Sequence, residues 1–446
     1  MSAGLVTLPY ALSRGGWLSL VLLFLISIIT FYTAILLKKC MDSDPSITSY
    51  LDIAERAFGK TARIVVLIIL STELYLVAVG LIILESDSLY KLFPKFRIKL
   101  GSLFICGRQS FVLVTALITL PTMLITEMSI LSYVSATGVF CCLIIVGSIV
   151  CVGAFGGVGF HASGDLLNGG PSYRCELDMQ SPLQYTFLCE IKISSASAKG
   201  LILSHPLISK LEQNPIEPNK RTVVVFFSFL LVTITCMVTA VTGYLMYGDG
   251  VELQITLNLP TTEVSARVAI YTILLIPIAK YALMVTPVAN AIEGGLPEDY
   301  KNWRSVKLLI RMALLVSSTV VAYVFPYYET LMAIVGSLFT VSVSFILPCM
   351  CYLKLSACYR SGNYKLLGSV GIIAFGTLFS KFSNQSMWSF IRLNFITWPT
   401  LKICNIQQRK YHSLQLGLAA FKLNELIPAS TKVNLEKFRL KLKYTV

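Results

Sequence analysis

Long apolar runs separated by short polar breaks dominate this chain. A helix needs about 20 apolar residues to cross a hydrocarbon core roughly 30 Å thick. By that measure the pattern predicts nine spanning helices, over residues 17–37, 62–84, 110–125, 133–155, 223–247, 264–289, 305–325, 332–353 and 366–382. The connector after the first is polar, with Asp42, Asp44, Pro45 and Arg56. Residues 156–221 break the pattern: they are polar and rich in Gly and Ser. Their best apolar window, 183–203, holds Glu190 and Lys192 and makes a poor spanning helix.

Composition agrees with the pattern. The 446 residues are 55% hydrophobic and 13% charged, against about 25% charged in soluble proteins, and the mean hydropathy is +0.73. The chain is expected to be an all-α polytopic membrane protein. Twelve cysteines and three histidines are scattered without ligand spacing, so neither a metal site nor a disulfide frame is expected. No charged leader with a cleavage site precedes Gly4, so no removable signal peptide is expected.

Net charge is +14, and residues 383–446 carry ten Lys/Arg against Glu425 and Glu436. This basic tail is expected to be disordered or interfacial, touching anionic headgroups and not nucleic acid. Lysine and arginine collect on cytoplasmic connectors. Residues 249–263 have none, while 293–311 and 354–365 are basic, so the latter two are placed in the cytoplasm. In the first half the rule ties: 38–63 and 91–108 each hold five basic residues.

The opening stretch, 4–17, is apolar yet broken by Gly4 and Pro9 and closed by Gly15-Gly16. Backbone groups freed by such breaks need a polar partner inside a bilayer, and transporters aim them at substrate or coupling ion. An ordinary helix end with a turn is the plainer reading. On the binding reading a substrate carboxylate meets the freed amides of Gly4, Leu5 and the residues to Thr7. Thr7 and Thr286 offer hydroxyls near broken backbone, although threonine also back-bonds within its own helix. Tyr10 is a gate or a packing residue.

Glu73 stands mid-span, where a carboxylate is costly and marks an ion or proton path or a paired structural group. Lys280 lies mid-span between Pro277 and Pro287, as a coupling group or a partner to Glu73 or to a carbonyl. Glu85 and Asp87 end their span and are expected on a solvated face. No Gly-x-Ser-x-Gly, phosphate loop or His-Glu-x-x-His occurs, so no enzyme activity is expected.

Several stretches together resemble the amino acid/auxin permease family, in its plant and fungal vacuolar form. They are 4–17 (GLVTLPYALSRGGW), 31–37 (FYTAILL), 73–75 (ELY), 82–88 (IILESDS) and 131–138 (LSYVSATG). In the second half they are 243–248 (GYLMYG), 256–260 (TLNLP), 280–288 (KYALMVTPV) and 336–338 (GSL). The resemblance implies a leucine-transporter-type inverted-repeat bundle of eleven helices, the first helix of each repeat broken at mid-membrane with substrate between the breaks. On that map the nine spans are helices two to five and seven to eleven.

Against the family pattern, helix 1 is expected to be truncated, with Ser2 where the first Gly of Gly-x-Gly stands. Helix 6, within 156–221, is expected to be degenerate, His205-Pro206 being a remnant of its break. The domain implied is 1–382, with 156–221 a divergent insertion or replaced helix. The implied activity is proton-coupled transport of neutral amino acids across the vacuolar membrane, by a monomer without cofactor and driven by the proton gradient. Plasma membrane or another endomembrane is the alternative location. A transport-incompetent relative, serving as sensor or binding partner or arising as a mis-assembled gene product, is the alternative function. Gly4, Leu5, Thr7 and Tyr10 would line the substrate site, and Glu73, Lys280 and Thr286 would serve coupling. Lys280 would take the place of a coupling sodium.

Overall fold

The first span, α1 (Leu8–Asp42), changes direction at Gly16, whose φ of 60° and ψ of −164° suit a residue without Cβ. The Gly-Gly turn expected at the end of the opening stretch lies here. Across the kink, the Ser19 hydroxyl donates to the carbonyls of Gly16 (2.6 Å) and Ala11 (3.3 Å), taking up acceptors the bend exposes. The structure is a computed structural model and describes residues 5–42, 47, 49–93, 98–100, 103–105, 107–123, 128–155, 218–252, 254–260, 263–297, 303–325, 327–355 and 367–381. These all belong to one unit, Met1–Met387. The expectations for Gly4, helix 6 and the basic tail lie outside the described residues.

After α1 come α2 (Tyr50–Phe58), α3 (Lys60–Leu92), a hairpin of β1 (Ile98–Leu100) and β2 (Leu103–Ile105), α4 (Gly107–Met123) and α5 (Met128–Phe155). The second half holds α6 (Pro218–Tyr247), α7 (Val264–Gly294), α8 (Arg304–Val324) and α9 (Tyr328–Ile334). Two π-helical stretches, Val335–Thr340 and Ser342–Ile346, lead to α10 (Leu347–Leu355), and α11 (Leu367–Lys381) follows. Every predicted span falls on a helix, and six of the described helices are long and apolar enough to cross a membrane. Among the described residues the elements are helices apart from one hairpin, in which Ile98 pairs with Ile105 and Leu100 with Leu103.

Two expectations need correcting. The polar connector after the first span contains α2, an amphipathic helix with Ile53, Ala54 and Ala57 buried. Ser49 and Asp52 form its capping box: the Asp52 amide donates to the Ser49 hydroxyl (3.2 Å) and the Ser49 amide to the Asp52 carboxylate (2.9 Å). A helix this short is half polar by design and leaves no long apolar run. The second span is also longer than its apolar core suggests. α3 has 33 residues, about 50 Å, and continues through Glu85 and Asp87 to Leu92.

The packing resolves the orientation tie. Leu36, Leu37, Cys40, Ile53 and Ala57, around the 38–63 connector, share a buried cluster with Cys349, Cys351 and Tyr352, next to the basic connector 354–365. At the far end of α3, Lys91 pairs with Glu252 (3.1 Å) of the connector lacking Lys/Arg. The 38–63 end is therefore cytoplasmic by the positive-inside rule, and the 91–108 end is opposite.

Large apolar side chains such as Phe24, Ile68, Leu117, Phe227, Leu275 and Leu309 stay exposed along the spans, a surface suited to lipid. Inside, hydroxyls join the helices: Ser27 and Thr233 (2.5 Å) link α1 with α6. Tyr281 and Ser318 (2.6 Å) link α7 with α8, and Tyr75 donates to Ser317 (3.1 Å) between α3 and α8.

Candidate functional site

Leu5 is helical, Val6 and Thr7 form a turn, and the helix resumes at Leu8. The break is thus inside the apolar opening stretch, next to Pro9, which has no amide to donate. Leu5 and Val6 are fully buried and Thr7 is 7% exposed, so the freed groups face protein. The Val6 carbonyl accepts a hydrogen bond from the Ile255 amide (3.0 Å), and the Thr7 carbonyl one from Ala11 (3.1 Å). Tyr10 is half-buried one turn on.

Ile255 opens a single 3-10 turn, Ile255–Leu257, in the connector between α6 and α7. That connector is clamped to α3. The Ser88 hydroxyl donates to Gln254 (3.3 Å), and Lys91 pairs with Glu252 and donates to the Leu257 carbonyl. Asn258 braces it from within, accepting from the Glu252 amide (2.8 Å) and donating to the Gly250 carbonyl (2.9 Å). Ile255 and Pro9 both press on Gly243 of α6. The result is a cover over the helix break on the non-cytoplasmic side, held by backbone and side-chain hydrogen bonds that opening would have to break.

Midway along α3, Glu73 is 4% exposed and accepts a hydrogen bond from the Thr340 hydroxyl (2.9 Å), which also reaches the Val335 carbonyl (3.2 Å). Thr340 ends the first π stretch. In the second, the Val343 carbonyl accepts from the Tyr50 hydroxyl of α2 (2.6 Å). Wide π turns misalign the helical ladder, and these two side chains reach into it from neighbouring helices. Lys280 is half-buried on α7 against α5: a Cβ on Gly138 would stand 3.8 Å from its Cε. The structure thus seats Glu73 on the π stretch and Lys280 beside α5. Thr286 is buried, and its hydroxyl donates to the Ala282 carbonyl (2.7 Å) of its own helix, as the plainer reading expected.

The solvated reading of Glu85 and Asp87 does not hold. Glu85 is 2% exposed. Asp87 is mostly covered and takes a hydrogen bond from Arg108 of α4 (2.6 Å). α4 and the 254–258 segment bury a helix end that would be interfacial in isolation. Tyr50, Gln254, Ile255 and Thr340 were not anticipated at all. The family stretches TLNLP and GSL lie beside three of them, and Tyr50 sits in a connector without a motif.

Tyr50 provides a pH handle outside the spans. Burial pushes its hydroxyl well above the usual value of about 10, with Cys351, Glu73 and Cys349 adding in the same direction. The fold holds the neutral phenol, so this contribution is whole below about pH 10 and declines as pH rises through the raised value. Tyr50→Phe is expected to cost about 0.5–1.5 kcal/mol at neutral pH through the lost bond to Val343. It should also reduce the alkaline decline in stability. Thermal melts of the detergent-solubilised protein across that range check both.

A broken first helix, a capped break and a buried carboxylate on a neighbouring span define a polytopic membrane protein of transporter architecture. A profile of the family described as transmembrane amino acid transporter protein matches residues 1–389. The chain is 41% identical over 373 residues to amino acid transporter AVT1I of Arabidopsis thaliana, covering 84% of this chain and 86% of that one. It is 42% identical over 373 residues to amino acid transporter AVT1J of the same plant, covering 84% of each. The chain belongs to the transmembrane amino acid transporter protein family, whose members are transporters and not enzymes.

Proposed function

We propose that this protein carries neutral amino acids across the vacuolar membrane as a proton-coupled secondary transporter, without a resident cofactor and as a monomer. The observation that carries the reading is the unwound Val6–Thr7 turn, buried in the bundle and covered by the Ile255 amide. Family membership and the relatives' names support amino acids as the substrate class, and the resemblance of the sequence stretches to the plant and fungal vacuolar form supports the location. On this reading the substrate lies against Gly4, Leu5, Thr7 and Tyr10, its carboxylate meeting backbone amides and its side chain meeting apolar wall. Glu73, Lys280 and Thr286 serve coupling, Lys280 as the fixed cation in the place of a sodium.

Packing supports the inverted repeat behind this reading. α1 beyond Gly16 contacts α6, α3 contacts α7 and α4 contacts α8, pairing the second, third and fourth helices of the family map with the seventh, eighth and ninth. α5 lies on α7 as α9 and the first π stretch lie on α3, which is the fifth-on-eighth contact mirrored by the tenth on the third. The domain spans 1–382, with 156–221 as its divergent part and 383–446 as a basic tail.

The experiment is uptake of labelled alanine by liposomes bearing the full-length chain, with and without a pH gradient. Uptake well above that of empty vesicles, and larger with the gradient, is expected. Counts equal to those of empty vesicles under both conditions would overturn the transporter reading and leave the transport-incompetent alternative.

A further inference from the structure

Glu85 is absorbed neither by the substrate site nor by the coupling residues above. It is 2% exposed, and its Oε2 has no hydrogen-bond partner among the described residues. Its neighbours along α3 are all engaged. Ser86 donates to the Ile83 carbonyl, Ser88 to the Leu84 carbonyl and to Gln254, Asp87 binds Arg108, and Lys91 binds Glu252. Residues three apart on a helix share a face, so Glu85 stands on the face of α3 that meets the 254–258 segment through Ser88. On that segment the Thr256 hydroxyl is likewise buried without a partner.

An ionised carboxylate buried without a partner costs several kcal/mol, which protonation removes. Among the described residues, the charged and titratable groups at this end of the bundle are engaged elsewhere or exposed. Arg108 of α4 is taken by Asp87, and Lys91 is shared between Glu252 and the Leu257 carbonyl. Arg267 of α7 and Tyr323 of α8 are exposed, and Tyr328 of α9 packs in the apolar cluster with Ala78 and Ile82. Glu73, three turns along α3, is held at the π stretch, and Lys280 lies mid-helix against α5. The charged groups of α2, Asp52, Glu55 and Arg56, lie at the cytoplasmic end of α3.

We propose that Glu85 carries a proton while the 254–258 segment covers the helix break and gives it up when that segment lifts. Lifting breaks the Ser88–Gln254 and Ile255–Val6 hydrogen bonds and admits water. The carboxyl O–H bond then breaks, the proton passes to water on the non-cytoplasmic side, and the electron pair stays on the carboxylate. This rests on the transporter reading and adds a second titrating group, at the cover instead of mid-membrane. The covered form binds one more proton than the open form, so rising pH on that side favours opening. One proton allows at most about a tenfold change in the open-to-covered ratio per pH unit.

Hydrogen exchange of full-length protein in lipid nanodiscs, read on peptides covering 254–258 and corrected for the intrinsic pH dependence of exchange, tests this. Wild type and Glu85→Asp are expected to lose protection as pH rises. Glu85→Gln, or Glu85→Met if the glutamine variant aggregates, is expected to stay protected at every pH. A wild-type segment whose protection ignores pH, or a neutral variant that responds as wild type does, overturns the proposal. Labelled alanine uptake by the same preparation separates the two readings. Absent uptake with the exchange pattern intact removes the transporter reading alone; intact uptake with a pH-insensitive segment removes the role of Glu85 alone.

Discussion

Gly243→Val is expected to produce the largest loss of stability of any single change at the helix break. A Cβ at this position would stand 2.3 Å from Ile255 Cδ1 and 2.5 and 2.7 Å from Cγ and Cβ of Pro9. Ile255 is fully buried, and Pro9 is a rigid ring on the resumed helix, so neither neighbour gives way cheaply. Overpacking of this kind costs about 1–3 kcal/mol, and the two further methyls of valine place it at the upper end. The strain falls on both sides of the Ile255–Val6 hydrogen bond. The variant is expected to melt at lower temperature in detergent and to lose exchange protection over 254–258, while Gly243→Ala gives a smaller shift of the same sign. A wild-type melting temperature for the valine variant would mean that α6 and the cover can move apart freely.

Glu73→Gln is expected to have the largest effect on transport, with little on folding. The amide keeps the volume of the carboxyl group and can still accept from Thr340, so the seat on the π stretch survives. It cannot take up and release a proton. Stimulation of labelled alanine uptake by a pH gradient is expected to fall more than tenfold, equivalent to at least about 1.4 kcal/mol of lost coupling. Thr340→Ala, which removes the donor and leaves the carboxyl group, is expected instead to lower stability by about 0.5–1.5 kcal/mol through the lost hydrogen bond. Its gradient dependence should persist. Gradient-stimulated uptake at the wild-type level in Glu73→Gln would assign Glu73 a purely structural place.

The two variants divide what this part of the bundle does. Tyr50 and Thr340 both engage the π-helical stretches, one from a cytoplasmic helix and one toward the buried carboxylate. A π turn carries misaligned backbone groups, and a change at either side chain alters how they are satisfied. The cover at 254–258 belongs to the opposite side of the membrane, and α3 joins the two regions as one rigid helix from Lys60 to Leu92. Glu73 sits at one region and Glu85 at the other.

Local pattern alone revealed the spans, the Gly and Pro that could break the opening stretch, and the placement of Glu73 in a non-aqueous interior. Each depends on a property that neighbours in sequence share: the length of an apolar run, Gly and Pro in an apolar stretch, a carboxylate with apolar residues on both sides. The connector holding α2 escaped because a short amphipathic helix has no long apolar run. The π stretches escaped because residues 332–353 read as one uninterrupted span.

Tertiary structure decided what depends on partners far along the chain. The charge rule tied between 38–63 and 91–108, and only the contacts of α2 with the end of α10 and of Lys91 with Glu252 broke the tie. Glu85 and Asp87 read as solvated because they end an apolar run. Glu85 is buried, Arg108 of α4 engages Asp87, and Gln254 engages Ser88 on the same helix end, partners that lie far along the chain. The sequence by itself determined that this chain crosses a membrane many times, and it left the opening stretch undecided between a helix end and a broken helix. Which groups meet that break, and which carboxylates lose their water, was settled by the packing, because desolvation depends on what surrounds a side chain and not on what precedes it.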